Sequence, residues 1–552
     1  MPTFMEHLKL EDPTQMPSER LGLLHAMCAL AAPFYCAEIL EISEDNPQIE
    51  ICLFEAGKGW AEAAREILSS NFGKPQIESL MTEVLLHEYY LRVGEYAKSF
   101  MLSGQIARHL QVMQLHLESD SDLLCEKSPY SPSSKESRRR LAWACYILDA
   151  YIECGIDQLQ FITSEDVQVQ LPCLEDMFIR SMACITETLP CGKLLPFVDR
   201  HSNTDYSAQL DLRSFYIRGI YMRSKILRFV KHLEGEVPWS DNRDSKFSQL
   251  ESKLQEFETS IPEIFRMSPG NLYLFKAVGR LNLFFGLHIL ISQNFYDLYR
   301  VGVSNLVFPD TATRWIRENA PSTFIRKCHL VCFQKATYIA SLLKDLWECD
   351  KTSLIDTPFA MHAQVCSSVL VTTLTSWQEN DILLPDLSLL DCQAILQTNV
   401  EILQYLQRYM KVDMYRESAM HALDRFIQLF ALNSDGLRTL GLNENTAHVQ
   451  AERLKILRLE YVLNPLGTYP MARKQAIGGT QQLVLSGEAE NQAVSKGSES
   501  ESETLTNGTS MDEIYAFSDP TYQFGDDATV DWDPEMFMIQ GLGYPTFLGQ
   551  EI

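Results

Sequence analysis

The residues best suited to bind a charged group are three consecutive arginines, Arg138, Arg139 and Arg140, in the segment 133–155, SSKESRRRLAWACYILDAYIECG. Guanidinium groups bind phosphates and carboxylates through paired hydrogen bonds. A nucleic-acid contact, a nuclear import signal and a packed structural helix are therefore the three interpretations. In an α-helix the first and third arginines point about 200° apart, so the three cannot form one basic face. We expect at least one of them to turn toward the protein and pair with a carboxylate, which favours the structural role.

Cysteine and histidine side chains are the next candidates, as metal ligands or nucleophiles. Cys328 and Cys332 lie one helical turn apart with His329 between them, but no second ligand pair accompanies them, and no cysteines have C-x-x-C spacing. His109 and His116 are seven residues apart, and we interpret both groups as packed helix faces. The sequence contains no G-x-S-x-G, H-E-x-x-H or G-x-x-x-x-G-K-[ST] motif. We therefore predict that the chain is not an enzyme, with no catalytic residue, metal ligand or cofactor-binding residue in it.

The charge of the chain is acidic and unevenly distributed. The 552 residues carry a formal net charge of −26, which argues against non-specific adhesion to nucleic acid or anionic lipid. Residues 481–552 contain fourteen acidic residues and one basic residue, Lys496. The fourteen scattered cysteines and the absence of a secretory signal at the start indicate reduced thiols in the cytosol or nucleus. The apolar run 21–40 contains His25 and Pro33, so we expect a buried helix interrupted near Pro33 and no membrane span.

The apolar residues have helical periodicity through most of the chain. Residues 77–116 are predicted to form two helices joined near Gly94, and Ser133-x-x-Glu136 has the pattern of a capping box that begins another. The clearest strand pattern, DVQVQLP, is short. With 46% hydrophobic residues, we predict an all-α domain of a dozen or so helices. Further helices are predicted at about 209–233, 244–260, 271–300, 323–348, 357–378, 389–410 and 415–432.

The composition changes near residue 475, where we place the boundary between a helical domain (1–475) and a disordered acidic tail (476–552). The stretch GSESESETLTNGTS cannot bury enough apolar surface to fold alone. From Met511 onward, eight aromatic residues alternate with Asp and Glu. Carboxylates keep such aromatics available to an apolar groove on a partner. We predict an activation segment, and a tail without a partner is the alternative. The predicted contacts to coactivators are Tyr515, Phe517, Phe524, Trp532 and Phe537.

Two blocks in this chain resemble the signature of the fungal transcription factor domain, also called the middle homology region. ESRRRLAWACYILD (136–149) is similar to Glu-x-Arg-Arg-Arg-x-Trp-Trp-x-x-Tyr/Phe-x-x-Asp, with Ala142 in place of one aromatic residue. FITSEDVQVQLP (161–172) loosely fits the Asp-x-Asp-Val-x-Leu-Pro element. ARHLQVMQLH resembles the family's A-x-x-L-x-x-L-G-L-H, with Gln114 in place of Gly. The resemblance extends over roughly 20–430. The signature residues, for which we expect structural roles, are Glu136, Arg138, Arg139, Arg140, Trp143, Asp149, Asp166 and Pro172.

The resemblance implies a large all-α regulatory domain of a nuclear transcription regulator, which controls a gene set through this domain and an acidic activation tail. It also implies homodimers or heterodimers with related regulators. Family members usually carry an N-terminal zinc binuclear cluster that binds DNA, and this chain has none, so zinc is expected only if an upstream cluster exists. Either the full protein starts earlier, or this is a finger-less co-regulator or inhibitor that pairs with full-length relatives and reaches promoter DNA indirectly. An unrecognised helical small-molecule binder or enzyme is the remaining alternative.

Overall fold

The computed structural model describes residues 16–39, 53–153, 159–199, 205–233, 237–239, 245–303, 310–378, 389–439, 472 and 475. The described residues form α-helices with short 3-10 turns and no β-strand, as predicted for an all-α domain. The predicted disordered tail, 476–552, lies outside them. In chain order the α-helices are α1 (Ser18–Ile39), α2 (Lys58–Ser70), α3 (Ile77–Arg92), α4 (Tyr96–Val112), α5 (Pro132–Glu153), α6 (Glu175–Ile179), α7 (Leu212–His232), α8 (Lys246–Ser260), α9 (Pro269–Ala277), α10 (Leu281–Tyr299), α11 (Asp310–Asn319), α12 (Ser322–Cys349), α13 (Thr357–Gln378), α14 (Leu389–Leu406) and α15 (Asp413–Thr439).

Helix α10 is the centre of the larger hydrophobic core. It packs against α7, α8 and α12, and α12 in turn packs against α13 and α14. Almost every side chain of α10 is buried, which is why its sequence is apolar on all sides. Asp297 of α10 forms a buried ion pair with Arg300, the residue that follows the helix (3.3 Å). Burial raises the pKa of Asp297.

A smaller core joins α1, α2 and one face of α3. Within it α1 runs through Pro33 without a break, so the predicted interruption is wrong. Proline has no N–H, and the carbonyl of Ala29, four residues earlier, loses its helical partner. Gly57 lies against that carbonyl: a Cβ built on Gly57 would meet the Ala29 oxygen at 2.0 Å. Because glycine has no Cβ, the backbone at Gly57 can approach this oxygen closely.

Helix α1 also has the length and composition of a membrane-spanning helix. The segment Ser18–Glu38 has a mean hydropathy of 1.3 over its best window, of which 28% is buried inside the protein. Its buried residues Leu23, Ala26 and Ala29 belong to the smaller core.

Most predicted helices are confirmed to within a few residues, and one of them needs correction. The break near Gly94 separates α3 from α4, and Gly94 has a φ of +75°. The stretch predicted as one helix over 271–300 is two helices, because Gly279 (φ +64°) ends α9. The strand-like DVQVQLP forms no ladder. It contributes one isolated bridge, between Leu117 and Gln168.

The turn after α4 explains why the family pattern has glycine where this chain has Gln114. Gln114 has a φ of +53°, in the left-handed region. The Leu115 N–H donates to the Leu110 carbonyl at 3.2 Å, the bond that closes a helix end through a left-handed residue. A side chain with a Cβ is strained in this conformation, and glycine is not.

Replacing Gly57 with Ala tests the contact at Pro33. We expect Gly57→Ala to lower the free energy of unfolding by about 1 to 3 kcal/mol, since the added methyl overlaps the Ala29 carbonyl. The φ of −83° at Gly57 suits alanine, so the backbone itself adds no strain. Urea denaturation measures the loss.

Gly59→Ala is the matched control. Gly59 lies two residues later inside α2, with nothing within 4 Å of its would-be Cβ. Alanine there should stabilise the helix by up to about 1 kcal/mol. Equal changes in the free energy of unfolding in Gly57→Ala and Gly59→Ala would contradict a close contact at Gly57.

Replacing Gln114 with Gly should stabilise the protein by up to about 1 kcal/mol, because glycine relieves the left-handed strain. Met101→Gly, at a position of α4 that is 73% exposed, should instead destabilise by about 1 kcal/mol. Thermal unfolding of both variants measures the two changes in stability. A loss of stability in Gln114→Gly would contradict the expectation.

Candidate functional site: the arginine cluster of α5

Helix α5 begins one residue before the predicted capping box, and the box itself does not form. The Ser131 Oγ accepts from the Ser134 N–H at 3.2 Å and so caps the helix in place of Ser133. Glu136 lies too far along for a capping box. Its Oε1 accepts from Arg140 Nε at 2.9 Å and from the Cys173 N–H at 3.0 Å. Glu136 is therefore an internal partner for arginine.

Arg139 and Arg140 both turn into the protein, as expected for at least one of the three. Arg139 is buried and donates from Nε (3.0 Å) and Nη2 (2.7 Å) to Oε1 of Glu118. Arg140 reaches Glu136 and also Glu175, where Nη1 lies 2.7 Å from Oε2. Arg138 is half-buried, with its guanidinium 4.8 Å from the centre of the Tyr130 ring.

The basic residue just before the arginines is also held internally. Lys135 is 2% exposed, and its Nζ donates to Asp120 Oδ1 and to the Asp122 carbonyl, both at 2.6 Å. Of the four cations in KESRRR, three are therefore taken up by carboxylates of this chain. A phosphate backbone needs cations that face solvent, and this segment does not present them.

Glu175, at the start of α6, gathers three arginines. Its Oε2 lies 2.7 Å from a guanidinium nitrogen of each of Arg140, Arg213 and Arg280. Burial by itself raises the pKa of Glu175, but the three arginines outweigh it and lower the pKa from 4.5 to about 2. The carboxylate is therefore charged at any physiological pH. It joins the N-terminal ends of α5 and α7 to the residue before α10.

The whole group is charge-balanced, with four arginines and four carboxylates. Asp211 completes it: it caps α7 by accepting from the Arg213 N–H (3.0 Å) and lies 3.2 Å from Arg213 Nη1 and 3.4 Å from Arg280 Nη1. We call this set the arginine network. Burial lowers the pKa of Arg140, but Glu136, Glu175 and Asp211 outweigh it and raise the pKa. The members of the arginine network are Arg139, Arg140, Arg213, Arg280, Glu118, Glu136, Glu175 and Asp211.

The two sequence blocks of the signature lie against each other. Trp143 is fully buried, and its Nε1 donates to the Gln170 carbonyl at 3.0 Å. Asp149 Oδ2 accepts from the N–H groups of Phe161 (2.9 Å) and Ile162 (2.7 Å). Residues 161–172 are thus bonded to α5 at its middle and near its C-terminal end.

The remaining signature residues have different surroundings. Pro172 is buried, and its carbonyl accepts from Ser214 Oγ at 2.7 Å and from the Asp211 N–H at 3.1 Å. Asp166 is exposed and accepts from Thr163 Oγ1 at 2.6 Å. The tail residues proposed as coactivator contacts, Tyr515, Phe517, Phe524, Trp532 and Phe537, lie outside the described residues.

Cys328, Cys332 and His109 are packed inside the protein, whereas His116 follows the end of α4 and does not share a helix face with His109. Cys328 and Cys332 are fully buried on α12, and burial raises the pKa of both thiols. His109 Nδ1 lies 3.0 Å from Glu83 Oε2, and its Nε2 accepts from the Gln76 N–H. In the part of the chain that the structure describes, no group of three or more His, Cys, Asp or Glu side chains could hold a metal ion.

Sequence reasoning missed Glu118, Glu175, Arg213 and Arg280, which complete the network. Asp211 was the one recoverable partner, since Asp directly before an apolar helical run is an N-cap signal. The others have no local signal in the sequence. Glu118 is 21 residues from Arg139, which it binds, and Arg280 is 140 residues from Arg140, with which it shares Glu175. Among 73 acidic residues, only the fold selects them.

Removing the Glu175 charge should destabilise the protein. At neutral pH we expect Glu175→Gln to lower the free energy of unfolding by roughly 2 to 3 kcal/mol, because three buried arginines lose a shared partner. The folded-state pKa is depressed, so this stabilisation is present above pH 4.5 and is lost as the pH falls from 4.5 toward 2. Denaturation of the wild type and the variant from pH 7 down to pH 4 measures the difference, which should begin to shrink near pH 4.5.

The neighbouring Asp176→Asn is the control. Asp176 pairs with Arg180 in the same helix, with both side chains about two-thirds exposed. An exposed pair contributes about 0 to 1 kcal/mol. A Glu175→Gln loss no larger than the Asp176→Asn loss would contradict the central place of Glu175.

Comparison with known proteins finds a family model and several relatives that are similar to this chain. Residues 1–258 match the model of the fungal specific transcription factor domain. The chain is 25% identical over 416 residues to the Zn(2)-C6 fungal-type transcription factor FTF1c of Fusarium oxysporum f. sp. lycopersici, covering 74% of this chain and 41% of that protein. It is 26% identical over 397 residues to an uncharacterized transcriptional regulatory protein of Schizosaccharomyces pombe, covering 67% of this chain and 44% of that protein.

The chain spans less than half the length of these relatives. No solved structure matches it at a comparable significance. The family match contains α1 to α7, the two signature blocks and all of the arginine network except Arg280. Residues 1–258 of this chain are therefore similar to the fungal specific transcription factor domain family.

Proposed function

We propose that this protein is a fungal-type transcription regulator that acts in the nucleus, with the helical domain controlling the acidic segment that follows it. The observation that carries the proposal is the family match over residues 1–258, together with relatives named as transcription factors and transcriptional regulators. The arginine network supports it from the structure. In the most basic stretch of the chain, KESRRR, three of the four cations form internal ion pairs. In this proposal the domain therefore acts through protein contacts and not through DNA.

Promoter contact, in this proposal, comes from a zinc binuclear cluster outside residues 16–439, in the same polypeptide or in a paired relative. The relatives from Fusarium oxysporum are named for such a cluster. The net charge of −26 fits a protein that is brought to DNA by another element.

A finger-less co-regulator or inhibitor is the second candidate. The same internal pairing of Lys135, Arg139 and Arg140 favours it, because three of the four cations of this segment are not offered to a phosphate backbone. The two candidates differ in one property: a co-regulator binds promoter DNA only when a zinc-cluster partner is present. Both assign the same role to the helical domain, and neither requires catalysis.

The acidic segment provides the direct test. Residues 476–552 fused to a heterologous DNA-binding domain should activate a reporter gene at least several-fold, since aromatic side chains among carboxylates can bind an apolar groove on a coactivator. Replacing Tyr515, Phe517, Phe524, Trp532 and Phe537 with alanine should abolish activation while leaving the charge unchanged.

Replacing five acidic residues of 488–503 with their amides is the matched control, since that stretch holds carboxylates and no aromatic residue. Activation should survive it. No activation by the unmodified fusion, at protein levels equal to those of an active control fusion, would remove the activation role.

A further inference from the structure

The chain returns to the start of α4 just before its acidic segment. The side-chain Oε1 of Gln475 accepts from the Ala97 N–H at 2.9 Å, and its Nε2 donates to the Gly94 carbonyl at 2.6 Å. Ala472 is 6% exposed and belongs to the larger core. Residues 481–552, with fourteen acidic residues and one basic residue, therefore begin a few residues from the N-terminal end of α4.

Helix α4 has an uncovered side that alternates basic and apolar residues. Lys98, Met101, Arg108 and Val112 are spaced by three, seven and four residues and share this side. We call these four residues the α4 stripe. Met101 is 73% exposed and Val112 is 68% exposed. Lys98 Nζ lies 3.3 Å from Glu95, and the Arg108 guanidinium lies 5.5 Å from the centre of the Phe161 ring.

A cavity of about 430 Å³ lies at the C-terminal end of the stripe. It opens between the end of α4 and the segment 161–166, and polar and apolar residues contribute equally to its lining. His116 adds a polar atom: its Nδ1 is buried and has no hydrogen-bond partner among the described residues. An aromatic ring fits such a volume, and a phenol, an indole N–H or a carboxylate could bond to the imidazole. The apolar residues of the wall are Leu110, Leu117, Phe161 and Ile162.

The chemistry of the stripe is the complement of the chemistry of residues 511–552. That segment alternates aromatic residues with carboxylates, whereas the stripe alternates cations with apolar side chains. The rim carries one opposing charge, Asp166, whose Oδ2 already accepts from Thr163 Oγ1 at 2.6 Å.

The distances allow the segment to reach the stripe. The 36 residues from Gln475 to Met511 span up to about 120 Å when extended, and the 17 residues of α4 span about 25 Å. The contact of Gln475 with Gly94 and Ala97 holds the start of the segment beside the stripe. Tethering at this range gives an effective concentration on the order of millimolar, so a weak contact is enough for docking.

We propose that the α4 stripe and the cavity at its end form an intramolecular docking site for the acidic, aromatic segment 511–552. An aromatic side chain of the segment occupies the cavity beside His116, and carboxylates elsewhere in the segment meet Arg108 and Lys98. The regulatory consequence rests on the proposed function: aromatic residues held at this site are withheld from a coactivator. The docking itself is independent of transcription.

Photo-crosslinking of the full chain tests the site. With p-benzoyl-L-phenylalanine in place of Val112, irradiation should join α4 to a peptide from 511–552 within one chain, as identified by mass spectrometry. The same amino acid in place of Tyr273 on α9, a position that is also 73% exposed, should give at least tenfold less of that product. Absence of the 511–552 product from Val112, or equal yields from the two positions, would overturn the proposal.

Mixing chains labelled with ¹⁴N and ¹⁵N separates docking within a chain from docking between two copies. A product that joins the two labels would replace the intramolecular site with a dimer contact. Arg108→Glu should lower the Val112 yield several-fold. Arg180→Glu, at a residue that is 67% exposed near α6, changes the net charge equally and should leave the yield unchanged. Because no reporter gene is involved, the result stands whether or not residues 476–552 activate transcription.

Discussion

A guanidinium group keeps its proton in any protein, so each arginine taken out of water needs a carboxylate beside it. This constraint organises the signature region. Glu175 receives Arg140, Arg213 and Arg280 on one oxygen, and these residues come from three parts of the chain. Without Glu175, Arg140 would keep only Glu136, and Arg213 and Arg280 would share only Asp211. The positions of α5, α6, α7 and the start of α10 are therefore coupled through a single carboxylate.

The same region shows why the two blocks of the family signature occur together. Trp143 and Asp149 of the first block bond to backbone groups of 161–172, and Pro172 of the second block bonds to the start of α7. The blocks are the two sides of one packed unit. A segment that looks basic and accessible in the sequence is in this way packed inside the helical domain.

Helical periodicity was enough to predict most helices, because burial of an apolar face decides helix position locally. Periodicity did not predict helix ends correctly where a local backbone contact or conformation determines them. Pro33 does not stop α1, since Gly57 packs against the carbonyl that the proline leaves free, and Gly279 divides a stretch that is otherwise uniformly apolar. Gln114 occupies a left-handed position that favours glycine, and neither its conformation nor its cost can be read from the residue type alone.

The sequence by itself determined that this is a helical domain with a separate acidic segment, that its three arginines cannot share one face, and that at least one of them needs a carboxylate. These conclusions depend on composition and on the geometry of a single helix. Only the tertiary structure decided which carboxylates those are, because Glu118 and Glu175 lie 21 and 35 residues from their partners and compete with many other acidic residues. It also decided that Gln475 returns to α4, since a contact across 378 residues depends on how the helices between them pack.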